Sequence, residues 1–142
     1  MAERAIVDTG FLVALLNRAD AHHEWAVSLV PQLRGPWLTA EACISETVFL
    51  LEQAGRTAVD ALFGWLEQGA LVSGHCLPEQ REPVISEMLR YGKRWVDFAD
   101  ACLVVLSDER PKLPLVSVDA ADFSVYFRRR PGRKLFLPSK RR

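Results

Sequence analysis

With 142 residues, 49% of them hydrophobic and 25% charged, the chain has the size and balance of one globular domain, long enough to bury a core and too short for two. Its 18 basic and 18 acidic residues cancel overall, but the last 15 residues, Arg128 to Arg142, hold eight of the bases and no acid, which leaves ten bases against all 18 acids before them. No stretch approaches the length of a membrane span, and the apolar start is broken by Asp8 and lacks a small-residue cleavage site, so neither a membrane helix nor a signal peptide is expected and the protein is placed in the cytoplasm.

Ala5-Ile6-Val7 is a short apolar run that reads as a buried strand, ending in Asp8 and the turn-forming pair Thr9-Gly10. Asp8 therefore sits at a strand's carboxyl end, where open α/β sheets bind ligands. The same position also suits a cap for the helix that begins near Phe11. Phe11 to Asn17 reads as that helix and Asp20 to Leu33 as the next, with Pro31 either kinking it or ending it. Gly35-Pro36 is a break before a short second strand, Trp37-Leu38-Thr39. Ala40 to Gln53 is a helix with Ile44, Val48 and Leu51 on a wide apolar face and Gly55 placed to stop it. Thr57 to Gln68 is another, with Thr57 as its expected cap and Gly69 at its end.

Ala70 to Ser73 reads as a third strand, and Pro78 to Tyr91 as a helix stopped by Gly92. Asp97 to Ser107 is apolar almost all round, the mark of a helix buried inside a domain, so an acid in its first turn is held in place. Pro114 to Val118 is a fourth buried strand, followed at once by Asp119 and then by Asp122-Phe123, and Lys134 to Leu137 is a candidate edge strand. Strands separated by helices predict a three-layer α/β/α domain over residues 1–142, with a mainly parallel sheet of four to five strands and a basic C-terminal segment from about residue 128.

Cys43, Cys76 and Cys102 lie far apart in apolar surroundings and read as small buried hydrophobes, with no disulfide or zinc spacing. His22, His23 and His75 show no metal spacing and are expected on the surface or in loops. Phe11, Trp25, Phe49 and Trp65 read mainly as core. The basic C-terminal segment suits two readings equally, a holder of phosphates or a solvated, frayed terminus.

Four acids stand out by position. Asp8 and Asp119 each follow a buried strand, Glu46 lies between Ile44 and Val48 on a helix, and Asp100 lies in the first turn of the buried helix. All four are expected where an unpaired charge is expensive. Converging carboxylates repel unless a cation sits among them, and oxygen ligands without Cys or His favour Mg²⁺ or Mn²⁺ over zinc. Such a centre suits phosphodiester hydrolysis. No Gly-rich phosphate loop is present, which argues against an NTPase.

Val7-Asp8-Thr9-Gly10, Glu46 within Ile44-Ser45-Glu46-Thr47, Asp97-Phe98-Ala99-Asp100-Ala101-Cys102-Leu103-Val104 and Ser117-Val118-Asp119-Ala120-Ala121-Asp122-Phe123 resemble, in order and interval, the acidic motifs of PIN domains. The size is similar to that of the VapC toxins of toxin–antitoxin pairs. The resemblance implies a PIN-like fold and a Mg²⁺- or Mn²⁺-dependent endoribonuclease with Asp8, Glu46, Asp100 and Asp119 as catalytic and metal-binding acids. It also implies that Thr9 and Ser117 line the site, that Asp122 is a second-rank acid and Asp97 a helix cap, and that the partners are RNA and a cognate antitoxin; the part of the aromatic set that is not core is expected to form a homodimer face or a groove for a partner helix. The alternatives are a non-catalytic RNA-binding or scaffold module of the same fold and a haloacid-dehalogenase-like phosphatase. The latter wants a second Asp two residues after Asp8, where this chain has Gly10.

Overall fold

The computed structural model describes residues 4–74 and 77–139. Five short strands, β1 (Ala5–Val7), β2 (Trp37–Thr39), β3 (Leu71–Ser73), β4 (Leu115–Val116) and β5 (Leu135–Phe136), form one parallel sheet in the order β3-β2-β1-β4-β5. Among the described residues seven helices connect or flank them: α1 (Thr9–Leu16), α2 (His23–Leu33), α3 (Glu41–Leu51), α4 (Arg56–Gln68), α5 (Leu77–Leu89), α6 (Phe98–Glu109) and α7 (Ala120–Phe127).

Parallel strands need helical crossovers, and the helices cover both faces of the sheet, so the central strands are apolar on both sides. Side-chain alternation shows it in β1, where Ala5 and Val7 join a core with Phe11, Leu12, Leu29 and Leu62 from α1, α2 and α4. Ile6, pointing the other way, joins Leu103, Val104 and Phe123 from α6 and α7. Leu115 and Val116 of β4 divide between the same two cores. The three-layer architecture is the expected one, and the sheet takes the upper end of the expected strand number.

The sheet order reverses between β1 and β4. β2 and β3 lie to one side of β1 and β4 and β5 to the other, which opens a crevice at the carboxyl ends of β1 and β4. Gly10, just beyond β1, lets α1 approach β4's end closely: a Cβ on it would lie 2.2 Å from Val118 Cγ2. Gly69 ends α4 in the left-handed conformation, with a φ of 75°.

Several local expectations differ from the structure. Pro31 lies inside α2 without ending it. Gly55 precedes α4, which starts at Arg56, so Thr57 is already helical and caps nothing. The segment after Asp119 is a helix, α7, that the sequence reading missed. Phe49 is 65% exposed on the outer face of α3, so it is not core, whereas Phe11 is fully buried and meets Trp25 and Trp37 edge-on. His23 is half-buried, its Nδ1 2.7 Å from the carbonyl of Ala14. Cys43 is buried and Cys102 partly so, while the expectations for His75 and Cys76 lie outside the described residues. The described part of the basic segment is not frayed, because Arg130 and Arg133 are tied to Asp108. Among the described residues no helix is long and apolar enough to cross a membrane.

Gly10→Ala is expected to destabilise the fold by about 1–3 kcal/mol, since the added methyl must displace the short, stiff side chain of Val118. The check is a urea titration. An unchanged midpoint would show that the α1–β4 approach is looser than described.

Candidate functional site

The site is built at the reversal of the sheet. Asp8 leaves β1 and is 5% exposed. Its Oδ1 accepts the Phe11 amide at 2.7 Å, which makes it the N-cap of α1, and its Oδ2 accepts the Ser117 hydroxyl at 2.5 Å. The cap and the site are one residue in two roles. Ser117 in turn accepts the amide of Asp119 at 2.8 Å, so one hydroxyl links the acid after β1 to the acid after β4. Asp119 caps α7 through the amide of Asp122 at 3.0 Å.

From the other side, α6 brings Asp100. Asp97 caps that helix through the Ala99 amide at 3.2 Å and stays exposed. Asp100, one turn in, is half-buried and has no hydrogen-bond donor among the described residues. Oxygens of Asp100, Asp119 and Asp122 lie within 4.8 Å of one another. Arg94, in the loop before α6, donates a hydrogen bond to Asp122 Oδ1. Glu46 stands at the rim on α3 and is exposed, a departure from the costly apolar surroundings expected for it. The Thr9 hydroxyl donates to Glu46 Oε2 at 3.2 Å and lies 3.4 Å from the carbonyl of Cys43.

The fold therefore gathers Asp100, Asp119 and Asp122 most tightly. Asp8 is joined to them through Ser117, and Glu46 is near enough to act on Asp100 electrostatically. The sequence reading gave Asp122 too small a part. Asp119-Ala120-Ala121-Asp122 is an acid, two small residues and an acid before an apolar run, the signature of a helix start, and it would have placed both acids on one turn. No local signal could have placed Arg94.

Electrostatics agree with the geometry. Asp8 is pushed up to about 6 by burial against the pull of its hydrogen bonds from Ser117 and Phe11, with the charge of Asp119 adding to the rise. Asp100 is pushed up to about 7 by burial and then by the charges of Asp97, Asp8, Asp119 and Glu46. Acids shifted in this way lack a positive partner. A divalent cation fits the group: the donors are carboxylate oxygens, Asp100 accepts no hydrogen bond among the described residues, and the thiols of Cys43 and Cys102 are pushed up to about 12 and about 11, chiefly by burial, so they stay protonated.

Comparisons with known proteins bear on the family and the fold. A family model described as PIN domain matches residues 5–127. The crystal structure of Mycobacterium tuberculosis VapC20, a toxin that cleaves the sarcin–ricin loop, is similar to this chain with a TM-score of 0.74 and 24% identity, over 85% of this chain and 94% of that one. At that identity the likeness is one of fold. No curated protein matches.

The raised acids make a stability prediction. Between the unfolded carboxylate value near 3.8 and the folded values of about 6 and 7, the native state holds more protons than the unfolded one, so these groups subtract stability as pH rises through that window. For Asp8 alone the loss is at most about 3 kcal/mol. In chelator, Asp100→Asn is expected to raise the melting temperature at pH 8 by several degrees and to change it little at pH 4.5. Equal shifts at both pH values would mean that Asp100 is not titrating among like charges.

Proposed function

The chain belongs to the PIN-domain family, and we propose that it is a divalent-metal-dependent endoribonuclease acting as the toxin of a toxin–antitoxin pair. The observation that carries this is the convergence of Asp8, Asp100, Asp119 and Asp122 at one crevice, from three chain segments that meet at the sheet reversal. The similar VapC20 is itself an RNA-cleaving toxin, which supports the reading for this chain.

In this proposal Asp100 and Asp119 hold a Mg²⁺ or Mn²⁺ ion with Asp122, Asp8 and Glu46 around them. Such an ion polarises a phosphoryl oxygen and lowers the pKa of the water it carries. The remaining work belongs to the chain. Ser117 and the Phe11 amide fix the Asp8 carboxylate in one orientation, so it meets a substrate without reorganising. The Thr9 hydroxyl steadies Glu46 at the rim, where an exposed carboxylate can still swing toward a second ion or a water. Asp122 is pinned at its amide by Asp119 and at its carboxylate by Arg94, the guanidinium at the mouth that can turn to a phosphate of the strand. The natural partners in this reading are RNA and an antitoxin that blocks the acidic crevice while the toxin is stored.

Purified protein is expected to cleave single-stranded RNA with Mn²⁺ or Mg²⁺ and not in excess chelator. Asp100→Asn and Asp8→Asn should each lower the rate by at least about 100-fold, the scale of a lost group that orients charge at the reacting centre. Metal-independent cleavage, or full activity in both variants, would remove the proposal.

A further inference from the structure

A second charged cluster lies at the opposite ends of the helices that carry the acids. α6 bears Asp100 in its first turn and Asp108 in its last, eight residues or about 12 Å away along the axis. α7 starts behind Asp119 and ends before Arg128, Arg129 and Arg130. Where α5, α6 and α7 end together, Arg90, Asp108, Arg129, Arg130, Pro131 and Arg133 line an open cavity of about 420 Å³.

The cavity is built on a buried acid. Glu87 of α5 is 1% exposed, accepts Arg90 Nε at 2.8 Å and receives Arg130 Nη2 at 3.1 Å. Asp108 accepts Arg130 Nε at 2.8 Å and pairs with Arg133 Nη1 at 3.2 Å, while Arg133 also donates to Ser107 Oγ at 2.8 Å. Arg130 further donates to the carbonyl of Tyr126 at 2.8 Å. The Arg130 side chain is thereby held rigid and nearly buried, and a buried charge pair of this kind keeps its geometry. Arg129 is exposed and has no partner among the described residues. Four guanidinium groups thus face two carboxylates, and the wall carries an excess of two positive charges.

A structural staple alone would need Arg130 and Arg133, whose partners are satisfied. It does not account for Arg129, or for the terminal nitrogens of Arg90, which no carboxylate among the described residues takes up. Planar guanidinium forks of this kind match phosphate oxygens. The acids at the crevice repel a polyanion, so an RNA strand needs compensating positive charge within reach, and among the described residues the densest supply is this cavity, one helix length away. We propose that the cavity formed by Arg90, Arg129, Arg130 and Arg133 is a second contact for the phosphate backbone of the RNA strand beyond the site of cleavage. The proposal rests on the ribonuclease reading and adds to it the demand for a strand long enough to span both ends of α6.

The test is fluorescence anisotropy of a labelled oligouridylate of that length, titrated with the full chain in chelator at several salt concentrations. Arg129→Glu is expected to weaken binding roughly fivefold and to lower the magnitude of the salt slope by about 0.7, the share of one phosphate contact on a single strand. Arg129→Lys should retain the parental slope, and both should melt with the parent, since Arg129 holds nothing in the fold. A parental slope and affinity in Arg129→Glu would overturn the second contact. Metal-dependent cleavage of the same oligonucleotide by the parent protein is read separately. Its absence would sink the nuclease reading, whereas its presence beside an unaltered Arg129→Glu slope would sink only the cavity.

Discussion

The buried hydrogen bond from the Ser117 hydroxyl to Asp8 joins the ends of β1 and β4, the two strands between which the sheet changes direction. It is the pin on which the acidic crevice depends. Without a donor there, a carboxylate as enclosed as Asp8 would have to protonate or turn away from its neighbours. With it, and with the Phe11 amide on the other oxygen, Asp8 is held close to Asp119 although the two repel. Ser117 satisfies both sides of that conflict by donating to one acid while accepting the amide of the other. Repulsion is thus held in the fold, and in the proposed nuclease a bound cation would relieve it, so that metal binding would add to stability.

The same two helices carry an opposite imbalance at their far ends. α6 and α7 begin among acids, of which Asp122 is paired with Arg94, and finish among guanidinium groups, with Glu87 and Asp108 neutralising only part of that charge. Helix dipoles favour this polarity at the C-terminal ends, where cations meet free carbonyls, as Arg130 meets that of Tyr126. At the N-terminal ends the acids cap free amides. Local helix chemistry and the larger separation of charge therefore point the same way. An acidic body with basic residues near its C-terminus is, in three dimensions, a domain with an acidic crevice at one end of these helices and a basic cavity at the other.

Much of this was legible along the chain because the signals were local or strictly periodic. A short apolar run such as Ala5 to Val7, bounded by turn-forming residues, reads as an interior strand, and the Asp97–Ser107 stretch, apolar almost all round, reads as a central helix, so the sheet, most of its helices and the ends on which Asp8, Asp100 and Asp119 fall followed from pattern. α7 did not, because its eight residues follow a strand so closely that no element was assigned between Asp119 and the basic segment. Glu46 was placed on the right helix but in the wrong environment: Ile44 and Val48, two positions to either side, are apolar, yet a helix turns 100° per residue, so residues two apart lie on nearly opposite faces and Glu46 is exposed. Arg94 on Asp122 and Arg130 on Glu87 join residues 28 and 43 positions apart, and such pairings exist only after the fold is made.

The sheet's outer strands are very short. β5 has two residues and β3 three, and Arg133 and Lys134 immediately precede β5. A sheet margin of full length is a template on which a second chain can lay down a matching strand and begin a fibril. Here an incoming strand would find only one or two rungs to grip, beside guanidinium and ammonium groups that repel an identical copy. The domain is therefore poorly suited to edge-to-edge polymerisation, even when it is crowded or newly made.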